Sequence, residues 1–218
     1  MVMPIKFRYW LSILILPLLA GCYPKGAEYV DELDIVYTNY YDQFDFHSKT
    51  TFAMSDSVIK ITGAAFEDPD GNHKPEFVSA TYAVPITTAI KENMKSYGWQ
   101  LVPKTSNPDV ILLASTMTTT NIYYYYDWWY WGWYYPGWCA CYGWYYPGWY
   151  YPPYISGYRS GSVFIQMVDP KNVGAGDNVP VVWNAIFNGL AEGSTASITS
   201  RIGVAINKAY AQSPYLKH

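Results

Sequence analysis

Three cysteines and three histidines hold most of the reactive side chains of this 218-residue chain, and their spacing restricts what they can do. Cys139 and Cys141 flank a single residue. In an oxidising compartment that spacing suits a small, strained disulfide closing a hairpin. Dithiol redox chemistry ordinarily uses two intervening residues and a helix N-terminus that lowers the thiol pKa, so the pair reads as structural or idle. His47, His73 and His218 fall at a strand start, a turn and the C-terminus, with no metal or base spacing among them. Asp68, Asp70 and Gly71 hint at a calcium loop, but its first and twelfth positions would be Phe66 and Phe77, which cannot ligate. The sequence has no Gly-x-Ser-x-Gly elbow, no phosphate-cradling Gly-rich loop with Lys and no convincing pair of catalytic acids. The expectation is a non-enzyme with no cofactor, no metal site and no catalytic residue.

The other chemistry on offer is that of aromatic rings. Between Asn121 and Tyr154 lie 7 Trp and 13 Tyr with one charge, Asp127. Gly132-Trp133-Tyr134-Tyr135-Pro136-Gly137-Trp138 recurs as Gly143-Trp144-Tyr145-Tyr146-Pro147-Gly148-Trp149. Two copies are too few for a solenoid, and the recurrent Pro and Gly preclude a long helix or a central strand. Such rings stack on sugars, on other aromatics or at a bilayer's headgroup level. Without Lys or Arg the segment cannot attract anionic lipid or nucleic acid, which leaves neutral glycan, lipid interface or protein, or an insertion without a dedicated ligand. The candidate contact residues are Trp133, Tyr134, Tyr135, Trp138, Trp144, Tyr145, Tyr146 and Trp149. The chain as a whole carries 14 Lys plus Arg against 17 Asp plus Glu, a balance that excludes a basic nucleic-acid binder.

Cys22 belongs to a different pattern. Lys6 and Arg8 precede an apolar run, Trp10 to Leu19, that is too short to span a bilayer. It reads as a signal peptide over 1–21, and Leu19-Ala20-Gly21-Cys22 resembles the lipobox of bacterial lipoproteins. That resemblance implies cleavage before Cys22 and attachment there of acyl chains such as palmitate. More than one chain is needed for firm anchoring. Tyr23 stands where proteobacterial lipoproteins retained at the inner membrane carry Asp, so the analogy implies a lipid-anchored outer-membrane location.

The elements that would position these groups follow from periodicity. Residues 22–45 mix acids and tyrosines and read as a tether. A strand is expected over 46–54, a loop through Asp68-Pro69-Asp70-Gly71-Asn72, and a helix over 84–99 from the spacing of Ile86, Ile90, Met94 and Tyr97, with Gly98 as its stop. Strands follow over 110–122, 161–169 and 179–190, the last two forming an antiparallel hairpin. Ile198, Ile202, Ala205, Ile206 and Ala209 mark a second helix capped by Ser194 or Ser197. The expected fold is α+β: one domain over 46–212, a two-layer sandwich of about four mainly antiparallel strands with both helices on one face, interrupted by the aromatic insertion 122–157.

The lipobox, Thr51-Phe52-Ala53-Met54, Tyr97-Gly98-Trp99, Pro108-Asp109-Val110, Gly161-Ser162-Val163 to Val168-Asp169, and Val182-Trp183, taken in order, resemble the bacterial lipoprotein family of domain of unknown function 4136 over residues 45–212. The resemblance implies an α+β envelope lipoprotein and no established activity. The aromatic insertion departs from the family pattern. Asp56-Ser57-Val58 is similar to the O-glycosylation site of periplasmic Bacteroidetes proteins, which marks Ser57. The functional expectation is a membrane-anchored, non-catalytic binding or assembly module using the aromatic loop toward an envelope protein. The alternative is a carbohydrate-binding lipoprotein that stacks glycans on the same rings, and an envelope enzyme is a third class.

Overall fold

The computed structural model describes residues 35–61, 76–117, 144–145, 161–172, 179–188 and 194–218. Leu33–His218 form one compact unit. In chain order its elements are β1 (Ile35–Tyr40), β2 (Thr51–Met54), β3 (Ile59–Ile61), α1 (Ala80–Ser96), β4 (Gln100–Leu101), β5 (Val110–Met117), β6 (Trp144–Tyr145), β7 (Ser162–Val168), β8 (Val179–Asn188) and α2 (Thr195–Ala211). The sheet order is β1-β8-β7-β5-β2-β4, with β3 also paired to β5 and β6 to β8.

The α+β class holds, but the sheet is mixed and has more strands than expected. β7 pairs antiparallel with β5 and with β8, as the hairpin reading anticipates. β2 runs parallel to β5 in register Phe52↔Val110, and also parallel to β4. The reason is the crossover: a strand that returns beside its predecessor by way of α1 must run parallel to it. β1 lies inside the stretch read as tether and pairs antiparallel with β8, from Ile35↔Asn188 to Tyr40↔Trp183. At the other boundary of the expected first strand, Phe46–Ser48 forms a 3-10 turn, so β2 begins only at Thr51.

Helix α1 starts one turn earlier than expected, with Ser79 at its N-cap and Pro85 inside it, and buries Ile86, Ile90 and Met94. It ends in two carbonyl-satisfying bonds, Trp99 N–H to Met94 O and Gly98 N–H to Lys95 O, both 3.0 Å. Gly98 carries the φ of +96° that this Schellman closure demands. In α2 the Ser194 Oγ accepts from the Ser197 N–H at 3.3 Å, which makes Ser194 the cap. Both helices pack into one core: Ile90 and Ile206 share it with Phe52, Leu112, Ile165, Trp183 and Phe187. The alternate residues of the same strands, Ile111, Leu113, Phe164 and Ile186, are buried as well, so the central strands hide both faces.

Candidate functional site

The order of motifs along the chain becomes a set of long-range ties. Asp109, which opens β5, accepts from the Thr50 N–H at 3.0 Å, the Thr51 N–H at 2.9 Å and the Thr51 Oγ1 at 2.7 Å. Its second oxygen accepts from Lys171 Nζ at 2.8 Å. Burial alone would raise this carboxyl, but the Lys171 ammonium and the Thr50 and Thr51 donors outweigh it and hold Asp109 well below the usual carboxylate range. Asp109 thereby fastens the start of β2 to the start of β5 and to the β7–β8 turn.

That turn forms one wall of a cleft of about 370 Å³. Asp169, 1% exposed, orders the wall by accepting from the Lys171 N–H at 2.9 Å and the Asn172 Nδ2 at 2.6 Å. The Asp169 N–H in turn donates to Pro180 O at 3.0 Å. The opposite wall is the connection from β1 to β2. Tyr41 N–H donates to Val182 O at 2.9 Å and so holds that connection against β8. Tyr41 Oη donates to Gln43 Oε1 at 2.9 Å, and Lys49 Nζ lies 5.6 Å over the Phe44 ring. Tyr41, Phe44, Asp45, Lys49, Asp169 and Asn172 thus combine half-buried rings with polar heads, of which Asp169 and Asn172 hold each other in place.

β6 is the described part of the aromatic insertion. Its backbone runs parallel to β8, in register Trp144↔Val179 and Tyr145↔Pro180. Pro180 also lines the cleft. Met117, the last residue of β5, is paired with Ser162, while Val179 stands at the opposite end of the β7–β8 pair. Of the residues singled out from sequence, Trp144 and Tyr145 therefore sit at a defined register of the sheet. Cys22, Trp133, Tyr134, Tyr135, Trp138, Cys139, Cys141, Tyr146 and Trp149 lie outside the described residues, as does the Asp68–Asp70 turn.

Ser57 is half-buried between exposed Asp56 and buried Val58, and its N–H donates to Ser55 Oγ at 3.0 Å. Asp56 pairs with Lys91. Two of the histidines that are far apart in sequence meet: the His47 and His218 rings stand edge to face with centroids 6.1 Å apart. Among the described residues, no group of three or more His, Cys, Asp or Glu is placed to hold a metal ion. The cleft escaped the sequence reading because its walls come from the end of a stretch taken as tether, the start of an expected strand and a turn taken as a connector. The one available signal was the density of aromatic and polar residues in Tyr41 to Lys49.

A family model described as Domain of unknown function (DUF4136) matches residues 36–215. The chain is similar to a crystal structure of a DUF4136 family protein from Bacteroides thetaiotaomicron, at 30% identity and a TM-score of 0.64, covering 84% of this chain and 97% of that one. A PDZ domain protein from Parabacteroides distasonis aligns at 14% identity and a TM-score of 0.42 over 85% of this chain and 37% of its own length, a likeness too weak to bear on fold or function. No curated protein matches.

Proposed function

The chain belongs to the DUF4136 family, and on that premise we propose that it is an outer-membrane lipoprotein, anchored through acylated Cys22, that acts as a non-catalytic binding or assembly module with its aromatic insertion as the contact surface. The observation that carries the reading is β6. An insertion this rich in Trp and Tyr is joined to the domain's sheet at Val179–Pro180, so the module holds part of its aromatic segment in a fixed place. Rigid rings held on a scaffold lose little entropy on binding, which is what a recognition surface needs. The Bacteroides relative is consistent with a Bacteroidetes-type envelope and with Ser57 as its O-glycosylation site.

The location is tested by Cys22→Ser: the chain should leave the outer-membrane fraction and lose palmitate labelling, and retention in that fraction would refute the anchor. The contact role is tested by replacing Trp133, Trp138, Trp144 and Trp149 together with Ala in the full chain. Partner cross-linking and envelope integrity should both fall. Unchanged values in a folded variant would remove the insertion from the function.

The second reading, glycan recognition on the insertion's rings, is favoured by the same register, because Tyr145 pairs with a residue of the cleft. Saturable binding of soluble saccharides that disappears in the four-Trp variant would select it over protein assembly.

A further inference from the structure

We propose that the cleft between the β1–β2 connection and the β7–β8 turn is itself a saccharide site, for a neutral mono- or disaccharide unit. The proposal borrows the ligand class of the second reading but places recognition on the cleft's own residues, so the two can fail separately. Its volume of about 370 Å³ falls at the small end of the about 300–1,000 Å³ typical of small-molecule sites.

A sugar ring has apolar C–H faces and hydroxyl edges, and the cleft offers the complement of both. Tyr41 supplies a half-buried ring and Phe44 a second one with Lys49 Nζ over one face, while Asn172, Gln43 and Asp45 supply amide and carboxylate heads. The walls are already ordered without a ligand. Asp169 fixes Asn172 at 2.6 Å, Gln43 is held by the Tyr41 hydroxyl, and Tyr41 is tied to β8 through Val182. Such order reduces the entropy lost on binding.

Charge narrows the class. The lining residues include two carboxylates, Asp45 and Asp169, and the single ammonium of Lys49, a balance that disfavours a strongly anionic ligand. Geometry disfavours an extended peptide as well. Strand addition needs a free run of N–H and C=O groups, but Pro180 lacks an N–H, its carbonyl accepts from Asp169, and β6 occupies the neighbouring edge of β8.

The full chain in detergent, titrated calorimetrically with maltose, cellobiose and chitobiose, tests this. Saturable binding of at least one disaccharide is expected. It should weaken by about tenfold or more in Tyr41→Ala, through lost ring stacking, and also in Asn172→Ala. Tyr41→Phe, which keeps the ring, and the four-Trp variant should retain binding. Circular dichroism establishes that each variant is folded, and if Tyr41→Ala is not, Asn172→Ala on the exposed turn decides. Absence of saturable binding to all three sugars overturns the proposal. So does binding that both cleft variants leave unchanged, and loss confined to the four-Trp variant would assign recognition to the insertion instead.

Discussion

Tyr40 and Tyr41 are neighbours in the chain that join different clusters. The Tyr40 ring stacks on Tyr215 at 3.8 Å and joins an aromatic lock around the C-terminus, whereas Tyr41 faces the cleft. In the lock, three donors are consumed internally: Trp183 Nε1 donates to Ser213 Oγ at 2.9 Å, Trp99 Nε1 to Leu216 O at 2.7 Å, and Tyr97 Oη to Tyr210 O at 2.8 Å. Trp183 and Tyr210 are 0% exposed. Around the cleft, Tyr41 holds exposed Gln43 and buried Asp169 holds exposed Asn172. The contrast teaches that aromatic content alone does not mark a binding surface in this molecule. What separates the two regions is whether a ring's polar edge is turned into the core or left at a surface.

The largest expected effect breaks the lock. Trp183→Ala removes the largest fully buried side chain among the described residues and leaves a cavity against Tyr210, which should cost about 3–5 kcal/mol in chemical denaturation. Against a typical stability of about 5–15 kcal/mol, that is enough to threaten folding. A loss below about 1 kcal/mol would mean that the ring is not the keystone its burial indicates. Next is Asp109→Ala, which strands the Thr50 and Thr51 donors and should cost about 1–3 kcal/mol. The pH dependence has a definite sign. The folded carboxyl titrates below its unfolded value, so the stability it contributes is complete above about pH 4 and drains away as the pH falls through the folded value. Asp109→Asn should therefore flatten the acid limb of a stability–pH profile, and an unaltered limb would contradict the tie.

The legibility of these regions follows from the range of the interactions that build them. Gly98 and Ser194 were readable because a helix end is decided within a few residues. The β7–β8 hairpin was readable for the same reason, its partners lying on either side of one turn. The parallel β2–β5 pair was implicit in the order strand, helix, strand, but alternation along a strand says nothing of the direction of its neighbour. β1 was hidden because its mixture of tyrosines and polar residues gives a weak period, and only pairing with β8 makes it a strand. The Pro108-Asp109-Val110 motif was visible without its reason, which is a carboxylate reaching across 58 residues to Thr51. Cleft residues carried no spacing signal at all, since three separated segments meet only after the sheet has formed.

A smaller effect of opposite sign sharpens the comparison. The Tyr210 hydroxyl is fully buried with no hydrogen-bond partner among the described residues, and burial, with Tyr97 nearby, pushes its pKa well above the ordinary phenol value. Tyr210→Phe deletes an unpaired polar group while keeping the ring, so stability should hold or rise by up to about 1 kcal/mol. A clear loss would show that the hydroxyl has a partner after all. The Tyr215 phenol is pushed up to about 12, by burial first, with the Ser213 and Trp183 hydrogen bonds opposing and Tyr40 adding to the rise. Its contribution is complete below the unfolded phenol value of about 10 and fades as the pH climbs toward the folded value.

The finest test sets the two neighbouring tyrosines against each other. Tyr40→Ala loses a stacked ring and should cost about 1 kcal/mol in thermal or denaturant unfolding, with any disaccharide binding left intact. Tyr41→Ala removes a half-buried ring whose hydroxyl bonds to exposed Gln43, so its stability cost should stay within about 0.5 kcal/mol while sugar binding falls. The two substitutions are chemically identical and one residue apart, so a difference between them must come from the direction each ring faces. Equal losses of stability would merge cleft and lock into one structural unit. Opposite signatures would separate a ring that holds the fold from a ring that the fold holds out for a ligand.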